Sequence, residues 1–149
     1  MSHVTDLKLH IKDLTALKRA AKALGMELVK QDHFKWYGTH VGDYPLPQGF
    51  KKEDMGKCDY ALRIPGKPHA YEVGICKRRD GKPGFVPLYD FFAKGYGLMD
   101  VIGASGEKLK SSYAVEVAKT QMAPFQREGF RMQQFKRPDG TLVIKAVKG

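Results

Sequence analysis

The stretch from Trp36 to Pro47 concentrates side chains that could do chemistry. His40 could transfer a proton near neutral pH, and Asp43, three positions later, could orient it or bind a cation. The rings of Trp36 and Tyr37 could stack on a base or on another ring. One hypothesis is therefore an enzyme or a small-ligand-binding domain centred on this loop, with His40 and Asp43 as its acid/base pair.

The same stretch also has the composition of a structural loop. Trp36 could anchor it in the core, its two glycines could form turns, and its prolines could stiffen an extended run. Asp43 could close an Asx-turn on its own backbone. Both interpretations remain open at this point, and a binding surface formed by the loop would also include Tyr44.

No catalytic signature with a known mechanism accompanies this loop. The chain has no G-x-S-x-G, no H-E-x-x-H and no paired carboxylates at the end of a predicted strand. Gly95-Tyr96-Gly97 lacks the third glycine of a G-x-G-x-x-G phosphate-binding loop, and no Gly-Lys-Ser/Thr follows it. We therefore expect residues 93–106 to form a flexible loop that could act as a lid.

The leading hypothesis assigns no catalytic residue and no cofactor.

The cysteines predict neither a disulfide scaffold nor a metal site. The chain has only Cys58 and Cys76, eighteen positions apart, and neither has a close cysteine or histidine partner at zinc-ligand spacing. We expect two buried or half-buried free thiols and no bound metal.

Three short segments predict a surface that binds anions. The chain has 26 basic and 16 acidic side chains, a net charge of +10, which is large enough to attract a polyanion. Basic residues collect in a predicted hairpin turn, in the long loop and near a second hairpin turn; they are Lys77, Arg78, Arg79, Lys82, Lys51, Lys52, Lys136 and Arg137. These cations could bracket phosphates or meet an acidic protein surface. The leading hypothesis is a small basic accessory protein that contacts a macromolecular partner without catalysis of its own.

Length and composition predict one soluble domain that covers residues 1–149. A chain of 149 residues can bury a core without disulfides or metal. It shows no run of about eighteen apolar residues that could span a membrane. With no apolar run at its N-terminus that resembles a signal peptide, we expect a cytoplasmic location, or a stromal one if the protein is encoded in a plastid. The sequence does not indicate an oligomeric state.

Periodicity predicts an α+β fold. Alternating residues indicate a strand over Thr5–Lys12, and Asp13 and Gly25 bracket a helix with an apolar stripe. Further strands, several of them paired in hairpins, are predicted near 26–37, 60–64, 71–75, 85–92, 130–135 and 142–147. A second helix is predicted over 107–128, although Pro124 lacks the N–H that a helix interior requires. We therefore expect an antiparallel sheet with two main helices on one face, in a ferredoxin-like β-α-β-β-α-β order with additional hairpin strands.

Motifs along the whole chain resemble one family. They include Trp36-Tyr37-Gly38, the run from Val41 to Pro47, Gly56-Lys57-Cys58-Asp59, Tyr71-Glu72-Val73-Gly74 and Leu88-Tyr89-Asp90-Phe91-Phe92. The chain is similar to the small proteins of unknown function called hypothetical chloroplast reading frame thirty-five, with relatives in plastids, cyanobacteria, other bacteria and phages. The resemblance implies a soluble single domain and no known activity, cofactor or catalytic set. Bacterial members encoded near AAA-type ATPases would fit an accessory or adaptor role.

Overall fold

A computed structural model describes residues 3–39, 45–138 and 142–148. Its elements, in chain order, are β1 (Val4–Asp6), α1 (Leu14–Ala23), β2 (Glu27–Val29), β3 (Tyr60–Arg63), β4 (Val73–Lys77), β5 (Phe85–Asp90), α2 (Leu98–Ile102), α3 (Glu107–Arg127), β6 (Phe130–Lys136) and β7 (Leu142–Lys148). The α+β class predicted from the sequence is confirmed.

The main sheet has five antiparallel strands in the order β1-β5-β4-β3-β2. Strands β2 to β5 form a meander, in which each strand pairs with the next along the chain. Strands β1 and β2, which flank α1, occupy opposite edges of the sheet. This order does not confirm the ferredoxin-like arrangement. Strands β6 and β7 form a separate two-stranded sheet.

The helices cover one face of the main sheet. Side chains from α1, α2 and α3 pack on strand residues Leu62, Val73, Ile75 and Tyr89, and together they form the larger of two apolar clusters, the helix-face cluster. Strand residues two apart in sequence point to the same face of the sheet, so the positions of the apolar residues along each strand decide which of them meet the helices. Tyr113 of α3 fixes the start of α1, since its hydroxyl accepts the N–H groups of Lys12 and Asp13 at 3.0 and 3.2 Å.

The long loop, which connects β2 to β3, covers the opposite face. Phe34, Phe50 and Met55 are buried against strand residues of that face, in what we call the loop-face cluster; its strand members are Val4, Ala61, Cys76, Val86 and Leu88. The loop is therefore a layer of the core and not only a connection. Its two ends are tied to each other: the N–H of Phe34 donates to the carbonyl of Gly56 at 2.8 Å.

The first helix forms as its sequence predicts, whereas the first strand is shorter than predicted. The side chain of Asp13 accepts the N–H of Ala16 and caps α1, and Gly25 takes the left-handed conformation that ends it. The alternation over residues 5–12 does not give one strand, because Lys8 has a φ of 58° and its N–H donates to Asp6 Oδ1. The chain returns to the sheet at Ile11, which bridges to Phe85.

Residues 93–106 contain helix α2, so the prediction of a loop over this whole segment is wrong. The segment contains α2, whose Leu98 and Ile102 are fully buried in the helix-face cluster. Four glycines occur between residues 93 and 106, and all four take positive φ values that let the chain turn tightly. The glycines therefore serve compact turns on either side of a short helix.

Helix α3 continues through Pro124 to Arg127 and carries the two-stranded sheet at its far end. Leu109 and Tyr113 are buried, whereas Val117 and Met122, further along the helix, are only partly buried. Strands β6 and β7 contact each other and α3. Among the described residues, none of the helices has both the length and the apolar character needed to cross a bilayer.

Gly74 tests the packing of the loop on the sheet. A Cβ at this position would overlap the ring of Phe34, and the backbone of Gly74 is not in the left-handed region. We expect Gly74→Ala to lower the free energy of unfolding by about 1 to 3 kcal/mol through overpacking. Urea denaturation in the wild-type and Phe34→Leu backgrounds checks this, because the smaller side chain should relieve part of the cost. An equal cost in both backgrounds would contradict the proposed contact.

Candidate functional site

The aromatic loop predicted from the sequence enters the structure through Trp36 and Tyr37. Trp36 is half-buried against the loop-face cluster, and its indole lies so close to Gly56 that a Cβ there would overlap it. Tyr37 is exposed on the neighbouring surface. Trp36 therefore occupies the position of a loop anchor. The predicted residues His40, Asp43 and Tyr44 lie outside the described residues.

Asp90 is the residue at this end of the sheet that the sequence analysis missed. It is the last residue of β5, and it is 0% exposed. Its carboxylate accepts three backbone N–H groups: those of His3 and Phe92 reach Oδ1 at 2.9 Å each, and that of Tyr37 reaches Oδ2 at 3.0 Å. The available signal was an acid inside the apolar run 88–92. One side chain thus joins the N-terminal segment, the start of the aromatic loop and the chain after β5.

Aromatic rings surround this junction. The rings of His3 and Phe91 lie 5.0 Å apart, and those of Tyr37 and Phe92 meet edge to face at the same distance. A third pair, Tyr71 and Tyr96, lies 5.1 Å apart between centroids. Burial, and next the Asp90 carboxylate, raise the pKa of Tyr71 to about 12. Tyr71 therefore stays a neutral phenol at physiological pH.

The chain leaves Asp90 through a left-handed turn. Ala93, Lys94, Gly95 and Tyr96 have φ values of 51°, 56°, 66° and 50°. Each non-glycine residue in this conformation costs about 1 to 2 kcal/mol. Hydrogen bonds hold the turn in place: the N–H of Tyr71 donates to Gly95 O at 2.9 Å, and that of Phe92 donates to Asp90. The fold offsets this strain because Asp90 holds the start of the turn and the N–H of Tyr71 holds its other end.

Replacing the Asp90 carboxylate by an amide should destabilise the fold. In Asp90→Asn the side chain has one accepting oxygen, so whichever way it turns at least one backbone N–H meets an NH₂ group. We expect a loss of about 2 to 4 kcal/mol in the free energy of unfolding. Urea denaturation beside Asp100→Asn, an exposed acid on α2, gives the matched comparison. Equal stability of the two variants would show that the junction contributes little.

Two of the three predicted basic segments come together in the structure. The guanidinium of Arg79 stacks over the Phe50 ring, 4.6 Å from its centroid, and lies 3.9 Å from the Asp54 carboxylate. A Cβ at Gly49 would overlap the Arg79 side chain, so the glycine makes room for this contact. This contact places the long loop against the turn between β4 and β5. The exposed residues Lys51 and Lys52 therefore lie on the segment that contacts this turn.

A groove of about 350 Å³ runs along this contact; we call it the basic groove. Its lining residues are Asp6, His10, Gln48, Gly49, Phe50, Arg78, Arg79, Asp80 and Val86. Arg78 is not available to a ligand in the way predicted, since its side chain is 7% exposed and its guanidinium pairs with Asp80. That hydrogen bond lowers the pKa of Asp80 to about 2. The cations nearest to an anion here are Arg79, whose guanidinium also lies 3.9 Å from Asp54, and the exposed Lys51, Lys52 and Lys82, which lie within two residues of lining residues in the chain. Lys77 is exposed too, but it has the strand parity of Val73 and Ile75 and so belongs to the other face of the sheet.

The third predicted basic segment lies on the two-stranded sheet. Lys136 ends β6, Arg137 follows it, and both are exposed. Their strand packs on α3, and the basic groove belongs to the main sheet and the long loop. The predicted cations are therefore divided between two elements of the fold.

Both cysteines are free thiols, and they are half-buried and buried as predicted. The thiol of Cys58 donates to Gln31 O at 3.2 Å, and that of Cys76 donates to Lys57 O at 3.3 Å. Burial, and next the charge of Asp59, raise the pKa of Cys58 to about 12, and burial also raises the pKa of Cys76. Within the described ranges, no group of three or more His, Cys, Asp or Glu side chains could hold a metal ion.

The raised thiol pKa values predict slow alkylation. The reactive species is the thiolate, so in the folded protein the iodoacetamide rate at Cys58 should be at least about tenfold below that of the urea-unfolded chain at mildly alkaline pH. The rate should keep rising with pH above the ordinary thiol pKa, because the pKa of Cys58 is about 12. Peptide mass spectrometry separates the two cysteines. A plateau at the ordinary thiol pKa would contradict this environment.

Comparisons add no relative from which a function could be carried over. The chain matches no family model, no curated protein and no solved structure. The resemblance to the reading frame thirty-five family therefore stays a prediction from the sequence.

Proposed function

We propose that this protein binds nucleic acid through the phosphate backbone and that the basic groove is one of its contact surfaces. The observation that carries this proposal is the stacking of Arg79 on Phe50, which joins the cations of the long loop to those of the turn after β4. Exposed lysines beside one groove attract the closely spaced charges of a nucleic acid. Contacts of this kind position a protein on the backbone without reading sequence.

Arg79 also favours nucleic acid over an acidic protein surface. Its side chain is 42% exposed although its guanidinium carbon lies over the Phe50 ring, 4.6 Å from the centroid. An exposed guanidinium can stack on a base while its edge bonds a phosphate, which a protein carboxylate does not require. An acidic protein partner is the alternative outcome of the test below.

The accessory role without catalysis remains part of this proposal, as does membership in the reading frame thirty-five family. The alternative enzyme hypothesis rests on His40 and Asp43, which lie outside the described residues. The position of Trp36 over Gly56 supports the structural interpretation of the loop start. We therefore place the working surface at the basic groove.

A charge-matched pair of variants tests the groove. Lys51→Ala/Lys52→Ala removes two exposed cations beside the groove, and Lys18→Ala/Lys22→Ala removes two exposed cations from α1, on the other face of the sheet. Fluorescence anisotropy with a labelled oligonucleotide over a salt series gives the affinity and its salt dependence. We expect the log–log salt slope to fall by about 1 for each phosphate contact removed in the first variant.

The α1 variant should keep the wild-type slope. Equal losses in both variants would mean that only net charge matters, and the groove would then have no special role. An absence of binding at low salt would overturn the proposed function itself.

A further inference from the structure

The two-stranded sheet presents an exposed face that the basic groove does not include. Residues paired across β6 and β7 point to the same side of the sheet. The register Arg131↔Val147, Gln133↔Lys145 and Phe135↔Val143 places these six side chains on one face, which we call the Phe135 face. Arg131, Gln133, Phe135 and Lys145 are all exposed there.

Phe135 is the unusual member of this face. Its ring is 47% exposed and shares this face with two cations, the combination of aromatic ring and positive charge that single-strand binding surfaces use. Lys145 is its diagonal neighbour across the strands, at a distance of about 7 to 8 Å. Arg131 lies on the same face four residues earlier along β6. The ring therefore has one cation beside it and another further along the same strand.

Charge identifies the class of partner. Residues 119–149 hold seven basic and two acidic side chains. A second copy of this segment would be repelled, whereas a polyanion would be attracted. An acidic peptide would satisfy the cations but has no flat group that requires an exposed phenyl ring. A nucleic acid strand with unpaired bases supplies both a flat face and flanking phosphates.

We propose that the Phe135 face is a stacking platform for single-stranded nucleic acid, with Phe135 under a base and Arg131 and Lys145 against the adjoining phosphates. This inference rests on the proposed function and adds a substrate class to it. Bases in a duplex are stacked on one another and do not offer their faces to a protein ring, so the exposed ring selects unpaired strands.

The test compares the binding of oligo-dT and oligo-rU with that of a DNA duplex of the same length. Phe135→Ala should weaken single-strand binding at least about fivefold, since one base–aromatic stack is worth about 1 kcal/mol or more. Duplex affinity and the salt slope should not change. Phe125→Ala is the matched control, because that ring is 46% exposed but lies on α3. It should bind like the wild type.

Three further variants separate stacking from folding. Phe135→Tyr should keep the affinity, whereas Phe135→Leu, which keeps an apolar side chain in the sheet, should lose it as the alanine variant does. Phe135→Trp should show fluorescence quenching on addition of oligo-dT beyond that of the wild-type protein, whose one tryptophan is Trp36. Full affinity in Phe135→Leu would overturn the stacking role.

The outcomes distinguish this inference from the groove proposal. Equal binding of duplex and single strands, unaffected by any Phe135 variant, would overturn the platform and leave the groove standing. Release of bound oligo-dT by polyglutamate as effectively as by unlabelled oligo-dT at equal charge would overturn it as well, because charge alone would then explain the binding. No binding of any nucleic acid would overturn both.

Discussion

The hydrogen bonds that end on Asp90 are the constraint on which one end of this fold depends. A carboxylate with no exposed surface would be strongly unfavourable without partners, and here three backbone N–H groups surround it. Those groups belong to segments that are far apart in sequence. Because all three must meet at one side chain, the entry of the aromatic loop and the left-handed turn after β5 are positioned together.

The positioning continues through the loop to the basic groove. The long loop covers the second face of the sheet with Phe34 and Phe50, donates to Asp90 through Tyr37, and meets the turn that carries Arg79 at Phe50. Phe50 therefore has two roles, since it is a core residue of the loop-face cluster and the surface on which Arg79 rests. The guanidinium of Arg79 thus rests on a core residue and lies 3.9 Å from the Asp54 carboxylate. This links a buried layer of the core to the proposed working surface.

Local chemistry made part of this structure predictable. The cap at Asp13, the stop at Gly25 and the hairpins around β3, β4 and β5 follow from periodicity and turn residues that lie close in sequence. Asp90 was not predictable in the same way, because its partners Tyr37 and His3 are 53 and 87 positions away. The same holds for Arg78 and Arg79, whose neighbours decide whether their charges are available. The glycines after residue 93 led to the wrong prediction of a loop, because tight turns and disordered segments are both rich in glycine.

Amide hydrogen exchange tests the Asp90 junction most directly. The N–H groups of Tyr37 and Phe92 lie outside the strands, and both donate to the same buried carboxylate. If that carboxylate organises this end of the fold, NMR should show both amides protected and exchanging with the same opening free energy. Exchange of Tyr37 at the rate of an unstructured loop, while Phe92 and the β4 amide of Ile75 stay protected, would contradict the account.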